Sequence, residues 1–419
     1  MNFSPSTPIL VVHPTGNTYV RNDLRAIYET GRLETFLTGF GLSRDSWWLK
    51  APGGLRVELS RRAYDLSKEK IHARPLRELV RLIAPRVGAS WLAEHESGWA
   101  CVDAVFGDLD RAAARYIAQG KSATGAVLAY EDGAEHCFTA AKTRGWECIY
   151  HLPIAYGPFA RKIFLEEAAR LPQWAPTLQG DRDSPAKIAR KERELALADV
   201  VICPSDFVLN SLPKAARENK SCQAVPYGAP PVPVESKNAT PSNRPLRLLF
   251  VGALSQRKGL ADIFAALHLL HCPRDVELVL MGRPCAPWEF YRAQGVPFTY
   301  EPPRANEAVL ELMGTCDALV LPSLVEGRAI VQLEALSRGL PLIVTPNAGG
   351  EDLITAGETG FLIPIRDAAA LADKIDWLRN HRAELPAMRA ACRARAEKIS
   401  WEAYRRRLLE VLGGSGIGV

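Results

Sequence analysis

Short apolar runs recur along this chain, and each is followed by a glycine- or proline-bearing loop and then a helical pattern. The first is Pro8-Ile9-Leu10-Val11-Val12, ahead of the loop His13-Pro14-Thr15-Gly16-Asn17 and a helical pattern from about Tyr19. Ala126–Ala129, Glu147–Tyr150 and Val200–Cys203 read as further buried strands. A Pro-rich stretch then runs from Gly228 to Pro245 and reads as a linker. Alternation restarts after it. Strands are predicted at Arg247–Val251, Val276–Met281, Ala318–Leu321, Pro341–Val344 and Gly360–Ile363, with helices between them. Runs that are apolar throughout suit parallel strands covered on both faces. The pattern predicts two doubly wound, Rossmann-like α/β domains. The expected boundaries are 1–232, a linker at 233–245, 246–396, a helix at 397–412 and a disordered tail at 413–419.

The chemistry concentrates after the strand Ala318–Leu321. Glu326 and Glu334 lie eight positions apart, with a helix predicted to open near Gly327 between them. Backbone N–H groups at a helix start have no intrahelical partner, so those near Ala329 and Ile330 form a candidate anion cradle. Two carboxylates flanking such a cradle suit a nucleotide-sugar, one for sugar hydroxyls and one for ribose hydroxyls. Acidic residues at a helix start also stabilise its macrodipole without any ligand.

The wider segment resembles a known family. Glu326-Gly327 through Glu334-Ala335-Leu336-Ser337-Arg338-Gly339-Leu340-Pro341 is similar to the E-x7-E motif of retaining glycosyltransferases of family 4, which have the GT-B fold. Asn347-Ala348-Gly349-Gly350-Glu351 and Gly357-Glu358-Thr359-Gly360 continue the likeness. Leu249-Phe250-Val251-Gly252 with Lys258-Gly259 resembles that family's diphosphate-binding segment.

The resemblance implies two domains facing a central cleft, with the C-terminal helix, Trp401–Leu412, crossing back to the first. It implies Lys258 on the leaving diphosphate, Glu326 on the sugar and Glu334 on the ribose. Ala253 stands where many relatives carry arginine, so Arg257 is either a second cation for the diphosphate or a solvated loop charge. Arg328 is a further candidate for that charge. His151, at a strand end, is either a sugar-site hydrogen-bonding group or structural. Gly16 would let the first domain approach the donor phosphates. Backbone groups from Pro302 to Arg304 would hold the base. Glu131 and Asp132 could orient or deprotonate an acceptor hydroxyl, and a turn explains Asp132 equally well. Arg190, Lys191 and Glu194 read as structural.

The resemblance implies that no metal is needed, which fits Lys258 and the helix-start amides in a divalent ion's usual place. The donor is expected to be a UDP- or GDP-sugar, with no other cofactor. The acceptor is expected to be a glycan, a lipid-linked saccharide or a small molecule. The alternatives are a nucleotide-sugar-binding module without catalysis, or another GT-B enzyme such as an epimerase.

Composition narrows this little further. The 419 residues carry a net charge of +5, which implies no nucleic-acid partner. The nine cysteines are dispersed with no C-x-x-C pair, which reads as reduced thiols in a cytoplasmic protein. Neither a signal-peptide pattern nor a run of about eighteen apolar residues is present. Residues 56–86 hold nine Lys/Arg against four acids with apolar residues interleaved. That is either a helix with a solvated basic face or a peripheral contact with the inner face of a membrane. The pair Trp47-Trp48 reads as core or acceptor groove.

Overall fold

The computed structural model describes residues 6–47, 59–120, 122–178, 183–233 and 244–413. Nearly all of the expected linker and tail, together with Trp48, lie outside the described residues.

The first domain is built on strands β1 (Ile9–Val12), β2 (Leu33–Thr38), β5 (Ile71–Ala73), β6 (Ala126–Tyr130), β7 (Glu147–His151), β8 (Val200–Cys203) and β9 (Ser221–Ala224). Between β2 and β5, β3 (Leu42–Ser43) and β4 (Ala63–Tyr64) make a small separate pair. The large sheet is parallel, in the order β5-β2-β1-β6-β7-β8-β9. The second domain has β10 (Leu246–Val251), β11 (Val276–Met281), β12 (Thr299–Glu301), β13 (Ala318–Leu321), β14 (Leu342–Val344) and β15 (Gly360–Leu362). Its order is β12-β11-β10-β13-β14-β15, again parallel. β1, β6, β8, β13 and β14 are buried throughout, as their unbroken apolar runs require, and β10, which carries Arg247, is buried at four of its six positions.

Each sheet reverses its strand order once, at β1/β6 in the first domain and β10/β13 in the second. Crevices outside the carboxyl ends of strands at such points are where open α/β sheets bind ligands. The two carboxyl ends meet. Ser205, capping the helix after β8, donates to the carbonyl of Gly327 after β13 at 2.6 Å. A Cβ at Gly327 would lie 1.7 Å from the carbonyl oxygen of Pro153, so only glycine permits this approach between the domains.

A buried polar cluster also joins the domains. Glu167 accepts from Arg170 of its own domain, and from Gln256 (2.6 Å) and Arg366 (2.8 Å) of the second. Beside it, Trp174 packs edge-on against Phe290 at 4.7 Å.

The last helix, Trp401–Val411, is capped by the Ser400 hydroxyl and returns to the first domain. Tyr404 donates to buried Asp23, Arg405 donates to Asn22 (2.8 Å), and Arg32 donates to the carbonyl of Leu412 (2.9 Å). The described residues thus form two Rossmann-like domains facing each other, with the C-terminal helix crossing back.

Candidate active site

The site is built from the loops that follow β10 and β13, at the switch point of the second domain. After β10 the chain passes Gly252 at φ 139° and reaches a short turn at Gln256–Lys258. A Cβ on Gly252 would sit 2.5 Å from Lys258 Cε, so glycine makes room for the lysine stem. Gly259 follows at φ 76°, against the carbonyl of Pro322. The sequence Val-Gly…Lys-Gly therefore encodes a loop folded tightly over the end of β13, with Lys258 laid along it.

Lys258 meets Glu326 there. Its Nζ donates to Glu326 Oε1 at 2.5 Å, and Arg257 Nη1 reaches the same oxygen at 2.9 Å. Arg257 also donates to the carbonyl of Val325, and its own carbonyl accepts from the Leu324 amide. Both loops are thereby locked together. Burial pushes the Glu326 carboxyl up, but Lys258 and Arg257 outweigh it and hold it below the ordinary carboxylate value. Burial lowers the Lys258 ammonium, against the pull of Glu326. Two cations share one carboxylate, so the cluster carries one net positive charge.

The helix begins later than the sequence suggests, at Ile330 and not near Gly327, because Ala329 is an extended N-cap. The Ala329 amide is also not available to an anion, since it donates to the carbonyl of Ala348 at 3.2 Å. The amides of Ile330 and Val331 have no backbone acceptor among the described residues and are the open first-turn donors. About one turn on, Glu334 accepts from the Asn306 side chain at 2.6 Å. Burial raises its carboxyl, with Asn306 opposing.

Other candidates fall elsewhere. His151 is fully buried, with Nδ1 3.1 Å from Asp23 and Nε2 3.1 Å from the Tyr227 hydroxyl. Both ring nitrogens are engaged, so it offers nothing to a sugar. Its place is in a network centred on Asp23, which also accepts from Tyr130 (2.5 Å) and Tyr404. Arg328 is also turned away from the cluster. It pairs with both carboxylate oxygens of Asp352, at 2.6 and 3.0 Å, and lines a cavity of about 320 Å³ beside Tyr227, Lys398 and Arg407. Gly16 is close-packed for an internal reason, because a Cβ there would overlap the Tyr64 ring. Arg304 is exposed and pairs with Glu301 at the end of β12. Trp47 is exposed, not core.

The first domain contributes its own switch-point residues. Glu131, just after β6, is buried, and burial pushes its carboxyl up to about 7 against the opposing charge of Lys191, 3.5 Å away. Asp132 occupies a left-handed turn at φ 80° and accepts from Arg190, as a structural turn residue does. Glu194 accepts from the amides of Asp132 and Ala134 and from the Tyr150 hydroxyl. Sequence reasoning passed over His13, which is buried against Tyr130 (4.6 Å between ring centroids) and Phe106. Its only sequence signal was its position at the first strand end.

Among the described residues, one group of side chains has metal-ligand spacing: His95, Glu96 and Asp183, within 4.8 Å. Asp183 there is already paired with Lys187 and Lys191.

Comparison with known proteins bears on the fold and on the second domain. Residues 245–381 match the family described as Glycosyl transferases group 1, which takes in the whole second sheet. D-inositol 3-phosphate glycosyltransferase of Corynebacterium diphtheriae is 27% identical over 182 residues, 41% of this chain and 43% of that protein. The match spans less than half the length of such relatives. In three dimensions, sucrose-phosphate synthase from Thermosynechococcus elongatus superposes with a TM-score of 0.65 at 18% identity, over 97% of this chain and 98% of that one. Anabaena HepE in complex with UDP gives 0.57 at 16% identity, over 97% and 99%. The fold is that of the GT-B glycosyltransferases.

Proposed function

We propose that this protein is a glycosyltransferase that moves a sugar from a nucleoside diphosphate donor to a hydroxyl acceptor, with retention at the anomeric carbon. The observation that carries the reading is the convergence of Lys258 and Arg257 on Glu326 at the β10/β13 switch point, beside the open amides of Ile330 and Val331. The second-domain match to Glycosyl transferases group 1 supports the reaction class. HepE, a fold relative, is known in complexes with UDP and with UDP-glucose, which supports a UDP-sugar as donor.

The roles follow from charge and position. As the bond between the anomeric carbon and the diphosphate breaks, negative charge grows on the leaving oxygen. Lys258, Arg257 and the two amides stabilise that charge more than the ground state, which lowers the barrier. No divalent ion is required, because fixed cations and helix-start amides occupy its place. Glu326 orients the donor sugar through its hydroxyls. Glu334 takes the ribose hydroxyls, with the Asn306 side chain bonded to one of its oxygens. Backbone groups after β12, near Arg304, hold the base. The leaving diphosphate takes the acceptor proton. Glu131, buried at the first-domain switch point, orients the acceptor hydroxyl.

Incubation with a panel of labelled nucleotide sugars and with glycan or lipid-linked acceptors tests the reading. Transfer with retained anomeric configuration, read by NMR, is expected. Binding without turnover would make this a nucleotide-sugar-binding protein, and release of a free epimer would make it an isomerase.

A further inference from the structure

The helix Pro75–Ile83 is built inside out. Its one buried side chain is charged: Glu78, 1% exposed, held by Arg62 at 3.3 Å and by Arg81 at 2.8 Å. Its large apolar residues face water instead. Leu76 is 66% exposed, Leu79 38% and Ile83 51%. The spacing 76, 79, 83 puts them on one stripe. The two following short turns, Ala84–Val87 and Ser90–Ala93, extend the apolar surface with Val87 (69%) and Trp91 (68%). A soluble surface helix turns its apolar stripe to the core. This one turns it out, so the stripe awaits a partner.

Charge identifies the partner. From Pro75 to Ala93 the cations are Arg77, Arg81 and Arg86, and the only acid is the buried Glu78. Exposed Lys68, His72 and Arg74 flank the helix, with Arg74 partly neutralised by Asp108. Exposed leucine, isoleucine and tryptophan with arginine among them, and with the exposed acids Glu69 and Glu94 confined to the two ends of the segment, match the interface of an anionic bilayer: apolar tips enter the acyl boundary and a guanidinium group meets phosphate. A second copy of this chain would set the same cations against each other. At nine residues the helix lies on a membrane and does not cross it. Among the described residues, no helix is long and apolar enough to cross one.

We propose that the first domain docks on anionic phospholipid through Leu76, Leu79, Ile83, Val87 and Trp91, steered by Arg86 and by Arg77, which lies over the Trp99 ring, while the charge of Arg81 is spent on Glu78. The position of the helix gives the docking a purpose. Glu78 packs by Gly39, just after β2, and Gly39 lies against Pro14 of the loop after β1, so the helix sits at the carboxyl end of the sheet near the β1/β6 switch point. Docking therefore turns the acceptor side of the cleft toward the bilayer. On the reading proposed above, and only for this last step, the acceptor is lipid-linked.

Co-sedimentation of the full chain with vesicles tests the proposal. We expect binding to phosphatidylcholine vesicles containing phosphatidylglycerol, at least 10-fold weaker binding to phosphatidylcholine alone, and weakening with added salt. The triple variant Ile83→Asp, Val87→Asp, Trp91→Ala changes only exposed side chains and should lose at least 10-fold in vesicle affinity. Its melting temperature and its affinity for UDP should match the parent. No binding of the parent protein to anionic vesicles, or equal binding by the variant, overturns the proposal. A parent dimer that the variant splits, with no vesicle binding, assigns the stripe to a second copy and also overturns it. Vesicle binding by a protein that binds no nucleotide would leave the docking intact and sink the transferase reading instead.

Discussion

Replacing Lys258 by alanine removes one of two cations from the cluster on Glu326. The fold should survive, because Arg257 remains 2.9 Å from Glu326 and the carboxylate is not stranded. The chemistry should not. A unit charge about 4 Å from a diphosphate oxygen, at an effective dielectric near 20, contributes about 4 kcal/mol. Loss of one preorganised donor elsewhere costs roughly 10²–10³-fold in turnover, or about 2.7–4 kcal/mol. We therefore expect Lys258→Ala to turn over at saturating donor roughly 10²–10³-fold more slowly, with an unchanged melting curve. Arg257→Ala should be impaired less, since part of that side chain's hydrogen bonding goes to the carbonyl of Val325. The double variant should be near background. Steady-state release of nucleoside diphosphate is the assay, with circular dichroism as the folding control. Full activity in Lys258→Ala would show that the diphosphate does not bind here. Full activity in Arg257→Ala alone would reduce Arg257 to a clamp between the two loops.

Glu334→Ala should weaken calorimetric binding of the free nucleotide, at roughly 1.5–3 kcal/mol for each charged hydrogen bond lost; unchanged affinity would remove Glu334 from the site. Asp23→Ala strands the hydroxyls of Tyr130 and Tyr404 and the His151 ring, so urea denaturation should show a loss of roughly 3 kcal/mol or more at ~1–3 kcal/mol per group. A loss under 1 kcal/mol would mean that water satisfies these groups. Burial drives His13 down to about 4 in the fold, against 6.5 unfolded, with the Thr15 carbonyl opposing. The neutral ring is favoured in the native state, so its contribution is complete above pH 6.5 and is lost as pH falls from 6.5 to about 4. The full span is roughly 3 kcal/mol. Stability profiles of the parent and His13→Asn should diverge over that window, and parallel profiles would refute the assignment.

The central strands were legible because strands buried on both faces must be apolar without interruption. β2, β5 and β9 were not. Glu34 and Thr35 interrupt β2, and Ile71–Ala73 and Ser221–Ala224 are sheet edges that need no apolar run. Lys258 and Glu326 were marked separately in the sequence, but their ion pair was not, because it joins two loops 68 positions apart that glycines at 252, 259 and 327 let fold together. The pairing of Arg328 with Asp352 and the choice between the two readings of His151 were not legible, because local sequence does not say which way a side chain turns at a strand or loop end. The Asp23 network was invisible for another reason. Its bond to Tyr404 spans 381 positions, and nothing near either residue advertises the other. The helix Pro75–Ile83 had the right composition for either a solvated or a docking face, and its sequence did not reveal that Glu78 turns in while Leu76, Leu79 and Ile83 turn out.

The most direct test of the account is calorimetric titration of UDP and GDP into the parent protein and into Lys258→Ala. The account predicts saturable 1:1 binding of one of them to the parent, and a loss of at least 10-fold in the variant. Absence of binding by both nucleotides, or equal binding by parent and variant, would contradict the placement of a nucleoside diphosphate between Lys258 and the helix at Ile330.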